Sequence, residues 1–448
     1  MHGNRLQPSY QSLGIATCLV LFAAAQLHAQ TDAFWGQWRG NQQNGVAPAG
    51  DYPVQWSSES NIAWTLDLPG RGGSTPVIVG DTAYLTAGFD DKNHVIAVNL
   101  TNGTIAWTRE LGDDRGGKHQ KGSGSNPSVA SDGKSLFAYF RSGDVGCLSA
   151  DGTVRWHHNL QDMYGQDTLW WDLGSSPIIA DGKVIIPVMH SSEGEDRRSL
   201  TSVGYVVALN AETGDVAWKV DRNTDAPVEA SQSYTTPVRC NVNGVDMFAV
   251  LGADQASLHR VNDGMTVGTV GGFNPAGEAF FRSISSPAVT NGVLICPYSR
   301  GDTVTAIALD RLAKNVGRDA VIWERDDIGS DVPTPAVDNG VAYFIEDGRQ
   351  NRGEVIAVDV KTGETKWTVA TPKSRVTFSS SPLIAGDHLY VTAEDSQTYV
   401  IGPLSSDAPE VVAQNDLGEQ PGITVASPVP LKNGLLIRTR DSLIRVGK

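Results

Sequence analysis

The chain has 448 residues, with 35 Lys and Arg against 50 Asp and Glu, and a formal net charge of −15. A surface that acidic repels phosphate backbones at long range, which excludes nucleic acid as a general partner. Hydrophobic residues make up 40% of the chain, enough for a substantial core, and 48 Gly with 22 Pro point to many tight turns.

Residues 1–30 read as a secretory signal peptide. His2 and Arg5 precede an apolar run from Ile15 to Ala25, and Leu27-His28-Ala29 sets a small residue before a cleavage expected ahead of Gln30 or Thr31. That run is shorter than the ~20 residues of a spanning helix. Cys18 lies inside it, which disfavours lipid attachment there. The mature chain is therefore expected to be exported to the periplasm or outside the cell, with no transmembrane segment. Residues 31–56 form an N-terminal segment ahead of the first repeat.

From residue 57 onward one unit recurs. It opens on a small residue and Pro, followed by two alternating runs around a turn, as in Ser175-Ser176-Pro177-Ile178-Ile179-Ala180. The prolines are Pro76, Pro127, Pro177, Pro237, Pro287, Pro335, Pro382 and Pro428, spaced 46 to 51 residues apart except for one interval of 60. The charged insertion Glu193–Arg198 accounts for that interval and reads as a solvated loop. Each unit ends in a strand, a Thr-Gly or Asp-Gly turn, and a strand carrying Trp. Four short antiparallel strands per unit at this period predict propeller blades.

The first Trp strand, Asn61–Leu68, has nothing before it, and the last unit stops before its own Trp strand. Joining them completes an eighth blade and removes the open edges of the array. The prediction is an all-β chain: an eight-bladed β-propeller over residues 57–448, closed by the N-terminal strand. Trp64, Trp107, Trp156, Trp218, Trp323 and Trp367 are expected to be structural, stacking on the neighbouring blade. Blades four and seven lack the Trp, with Val267 or Val270 and Val411 or Val412 near the equivalent places. Cys147, Cys240 and Cys296 fall in three different repeats and are expected to be buried free thiols.

The run AxDxxTGxxxW, best matched by Ala357 through Trp367 with Asp359, Thr362 and Gly363 in place, resembles the pyrroloquinoline-quinone (PQQ) repeat family. The resemblance covers residues 57–448 and implies two kinds of function. One is that of exported propellers similar to those of outer-membrane assembly, which are non-catalytic interaction scaffolds without a cofactor. The other is that of PQQ- and calcium-dependent dehydrogenases oxidising an alcohol or sugar, including polyvinyl-alcohol dehydrogenase-like enzymes. Members resembling the second group carry adjacent cysteines against the quinone and often a haem motif, and neither occurs here. The scaffold is therefore the expected function, with an envelope protein or a polymer or carbohydrate ligand as partner and the chain as a monomer. No catalytic residue and no metal ligand is assigned.

In a propeller the residues just ahead of each inner strand can face a shared funnel. Here these are Arg71, His119, Lys121, Trp171, Asp172, Glu229, Phe281, Arg282, Asp331 and Arg375, from seven blades. Trp171 with Asp172 would suit a sugar, quinone or peptide. Arg71, Lys121, Arg282 and Arg375 would meet carboxylates, and Asp172, Glu229 and Asp331 offer oxygens to calcium.

Overall fold

The computed structural model describes residues 1–3, 34–166, 168–189, 202–418 and 422–447. The predicted signal peptide, apart from its first three residues, and the Glu193–Arg198 insertion lie outside them. Residues 32–448 form one compact unit. Eight antiparallel sheets of four strands make the blades, and blade one carries a fifth strand. In blade three the strands run from the axis outward as Ile178–Ala180, Lys183–Val188, Ser202–Asn210 and Val216–Thr224. Among the described residues helix is confined to short turns such as Leu160–Tyr164 and Leu309–Leu312.

Ring closure is as the sequence predicts. Ile62–Asp67 pairs antiparallel with Ser442–Gly447, placing Thr65 opposite Ile444 and Leu66 opposite Leu443. The middle strands are buried on both faces, as Ser135–Tyr139 shows, because each blade is packed between two others. Strict alternation appears in outer strands such as Ile62–Asp67, which have one solvated face. Buried apolar clusters accordingly lie between blades: Phe137, Cys147 and Trp156 of blade two meet Val184, Ile186 and Tyr205 of blade three.

The repeat motif has a specific packing purpose. Trp64, Trp107, Trp156, Trp218 and Trp323 each donate Nε1–H to a backbone carbonyl of the next blade, at Leu100, Ala150, Ala211, Val261 and Val360, over 2.9–3.1 Å. Beneath each indole lies the turn glycine of that next blade. A Cβ added to Gly264 would come within 2.4 Å of the Trp218 ring, and Gly264 has φ of +72°. Glycine is required there both for the turn and for the contact. Trp367 faces blade seven, where Pro403-Leu404 replaces the Thr-Gly turn.

In the two blades without Trp the register fixes the equivalent positions. Strand register puts Gly268 opposite Leu258 and Ala413 opposite Val400, each next to a bulge, where the other blades have Trp opposite the equivalent residue. The valines named from the sequence flank these positions. A side chain at Gly268 would strike the Leu312 carbonyl at 1.8 Å, so the inserted helix Leu309–Leu312 of blade five occupies the place the indole would take.

Two features organise the axis. The first is a closed belt of hydrogen bonds. The amide of Thr75 donates to the hydroxyl of Ser128, and the sequence continues through Ser176, Thr236, Ser286, Thr334, Ser381 and Ser427, whose amide returns to Thr75 Oγ1. All eight links measure 2.8–3.1 Å. In seven repeats the belt residue is the Ser or Thr just before the repeat proline, and in blade two it is Ser128, just after Pro127. The second is the segment Phe34–Ala47, which lies across the inner strands. Phe34 and Trp35 extend blade one. Gly36 O, Gln37 Oε1, Gln43 Oε1, Asn44 O and Gly45 O accept the amides of Ser131, Ile179, Arg239, Val337 and Ile384. The buried Arg39 guanidinium donates to Pro335 O. Six blades are tied by this one segment.

Candidate functional site: a funnel floored by a hydroxyl belt

The loops ahead of the inner strands surround a cavity of about 770 Å³ on the axis. Its floor is the belt, all eight residues of which line it, together with Trp38 of the N-terminal segment. Each belt oxygen accepts an amide, and none of the eight hydroxyls donates to another described residue. The floor therefore offers O–H donors to whatever enters.

Seven of the predicted residues come together on the wall: His119, Lys121, Trp171, Asp172, Glu229, Arg282 and Asp331. Arg71 and Arg375 do not reach it. The backbone of Arg71 bridges to Gly88 at the rim of blade one and its side chain is 69% exposed, 3.7 Å from Asp441. Arg375 lies on an exposed stretch whose next residues, Thr377 to Ser379, turn into the cavity in its place. Phe281 packs into the core between blades four and five.

The predicted wall charges Lys121, Glu229, Arg282 and Asp331 are paired within the protein rather than left open to a carboxylate ligand or calcium. Arg282 forks onto Asp331 with contacts of 2.9 and 3.0 Å, and its Nε lies 3.6 Å from Glu229. Glu229 also accepts the indole N–H of Trp171 at 2.9 Å. Trp171, Glu229, Arg282 and Asp331 form one continuous chain across four blades. Asp172 is buried and accepts the amides of Lys118 and His119 at 2.7 and 2.9 Å, so it clamps a loop. That loop sets His119 edge-on to Trp171, with ring centroids 5.6 Å apart and planes at 86°. Lys121 pairs with Glu394 at 2.7 Å.

Sequence reasoning missed a second carboxylate layer and two cations. Asp347 accepts the amides of Asp331 and Val332, and Glu346 that of Gly329. Burial pushes Asp347 up to about 6 and Glu346 up to about 7, with neighbouring carboxylates adding to the shift. Arg300 and Arg349 line the cavity, and among the described residues neither has an ion-pair or hydrogen-bond partner for its guanidinium. Arg300 sits on a turn in which Ser299 and Arg300 both have positive φ, 54° and 59°. That turn is pressed against Ser330 and Asp331 through Gly301, where a Cβ would lie 2.7 Å from the Asp331 amide nitrogen. The Ser-Thr-Pro pattern was the available sign of the belt. Nothing in the local sequence marks Arg300 or Arg349.

A PQQ–calcium site does not fit this donor set. The acidic groups that could serve calcium are committed to Arg282, the Trp171 indole or backbone amides. Among the described residues no group of three His, Cys, Asp or Glu side chains could hold a metal ion. Among the described residues the three cysteines are free: Cys147 and Cys296 are buried in the core as expected, whereas Cys240 is only partly buried, and burial pushes its thiol up to about 12.

Fold and funnel define an eight-bladed propeller of the PQQ-like repeat class. The chain belongs to the family described as outer membrane protein assembly factor BamB, which matches residues 46–194 and 194–369. An outer membrane protein assembly factor BamB from Burkholderia pseudomallei (strain K96243) is 22% identical over 384 residues, covering 76% of this chain and 87% of that protein. Among solved structures, BamB from Moraxella catarrhalis superposes with a TM-score of 0.55 at 13% identity, over 86% of this chain and 99% of that one. A europium-containing methanol dehydrogenase gives 0.65 at 13% identity, over 90% and 89%. At these identities the structural likeness establishes the fold alone.

Proposed function

We propose that the protein is a non-catalytic binding scaffold, exported to the cell envelope, that takes a ligand or partner at its funnel face. The observation that carries this reading is the state of the wall. Its acids Asp172, Glu229, Asp331 and Asp347 are each engaged by Arg282, an indole or backbone amides, an arrangement that fixes the wall rather than freeing its carboxylates. A flat aromatic face and a floor of hydroxyl donors remain open. Membership of a family described by an assembly factor supports the scaffold over the dehydrogenase, and an envelope protein or polymer is the partner this implies. Among the described residues no helix is long and apolar enough to cross a membrane.

The dehydrogenase reading rests on overall shape shared with proteins such as the methanol dehydrogenase. Purified full-length chain, titrated with PQQ in the presence of calcium and assayed for dye-linked alcohol oxidation, separates the two. No turnover and no submicromolar PQQ binding is the expected result; calcium-dependent oxidation overturns the scaffold. Cell fractionation tests export, and recovery of the chain only in the cytoplasm would refute it.

A further inference from the structure

The protein is strongly acidic overall, yet its funnel presents mainly donors. The carboxylates of Asp172, Glu229, Asp331 and Asp347 are engaged by protein groups, as is Glu394. What remains available is eight belt hydroxyls, the guanidinium groups of Arg300 and Arg349, and the ring of Trp171, which is 43% exposed. That ring is fixed at its N–H by Glu229 and braced edge-on by His119, so it offers a pre-oriented face with little ordering cost on binding.

A fitting ligand must bring a flat apolar face, many oxygen acceptors and negative charge. A neutral peptide lacks the negative charge that the free guanidinium groups of Arg300 and Arg349 call for. A sugar ring meets the other demands well: its C–H face stacks on an indole and its oxygens accept hydrogen bonds. A planar or tetrahedral oxyanion on that ring would pair with Arg300 and Arg349, since guanidinium groups bind carboxylate and sulfate in bidentate fashion. We infer that the funnel binds an acidic saccharide, a pyranose stacked on Trp171 with its carboxylate or sulfate group held by Arg300 and Arg349. This rests on the reading of the funnel as a binding face. It sets aside Arg282, Arg71 and Arg375, the cations suggested by sequence, in favour of two that the fold delivers.

Ser299 and Arg300 occupy the turn between the second and third strands of blade five, where two consecutive positive φ values also occur in blade one at Asp90 and Asp91 and in blade four at Ala253 and Asp254. In blade five that turn carries Arg300 to the cavity.

Isothermal titration of the full chain with tetragalacturonate, a sulfated galactan tetrasaccharide and neutral cellotetraose tests the inference and separates the two anion sources. At least one acidic oligosaccharide is expected to bind, roughly 10- to 100-fold more tightly than cellotetraose, with affinity falling as salt rises. Arg300→Gln combined with Arg349→Gln should remove that preference, while circular-dichroism melting stays as in the wild type. Trp171→Ala should abolish binding of all three, and Trp171→Phe should retain it. Silence towards both acidic probes overturns the inference, as does equal affinity for cellotetraose or binding that survives Trp171→Ala. Such a failure leaves the scaffold standing, because only PQQ-dependent oxidation removes that reading.

Discussion

The amide of Ser427 donates to Thr75 Oγ1 at 3.0 Å, joining residues 352 positions apart and completing a hydrogen-bonded circle through all eight blades. Strand pairing of Ile62–Asp67 with Ser442–Gly447 closes the same ring at its outer edge. The structure is thus closed twice, at two different radii.

Thr75→Val removes the inner closure at nearly constant volume and leaves the buried Ser427 amide without its acceptor. The expected loss is about 1–3 kcal/mol in urea unfolding. Thr236→Val, at another point on the belt, should cost a similar amount. No measurable change in either would mean the belt is incidental to stability.

Trp218→Ala should cost about 3–5 kcal/mol, as for any large buried aromatic. Gly264→Ala should also be strongly destabilising, because its Cβ would lie 2.4 Å from that ring at φ of +72°. The double variant should be less destabilised than the sum of the singles, since removing the indole relieves the clash but not the backbone strain. Strict additivity in thermal denaturation would contradict the stacking described for the repeat.

Arg282→Ala is expected to destabilise the fold by about 2–4 kcal/mol, because it strips the forked partner from Asp331 and leaves Glu229 and Asp331 as nearby unpaired carboxylates. Adding Asp331→Asn should restore part of the loss. Arg375→Ala should stay within about 0.5 kcal/mol of wild type. Chemical denaturation of the three proteins side by side reads the contrast directly.

Glu346 provides a pH test. Burial raises its folded-state pKa to about 7, so its stabilising effect is fully present below the ordinary carboxylate range and is lost as pH rises through about 7. Glu346→Gln should therefore gain on the wild type between pH 5 and pH 8, by at most about 3 kcal/mol. A gap between the two proteins that stays constant with pH would refute the assignment.

The fold was legible because its punctuation repeats. Pro76 and its seven counterparts set the period, and the orphan strand at Trp64 revealed how the ring closes. In blades four and seven alternation points only near the equivalent places, because the bulge that precedes each such position shifts the register to Gly268 and Ala413. The site was legible in part. His119, Trp171, Glu229, Arg282 and Asp331 share a position ahead of an inner strand, and the fold gathers them. What sequence could not show is pairing: whether Arg282 faces solvent or Asp331 depends on a blade 49 residues away. Arg300 and Arg349 come from turns elsewhere in the repeat, and only the three-dimensional rim brings them in.

The segment Phe34–Ala47 precedes every blade in the chain, yet its partners come from blades one, two, three, four, six and seven. Amides and carbonyls as far along as Ile384 must be in place before it can be fully seated. The earliest of these elements in the polypeptide is therefore the last to be secured. Trp38 travels with it, so the cup acquires its base only after the circle around it is complete, and a chain cut short within the later blades would have walls but no settled bottom.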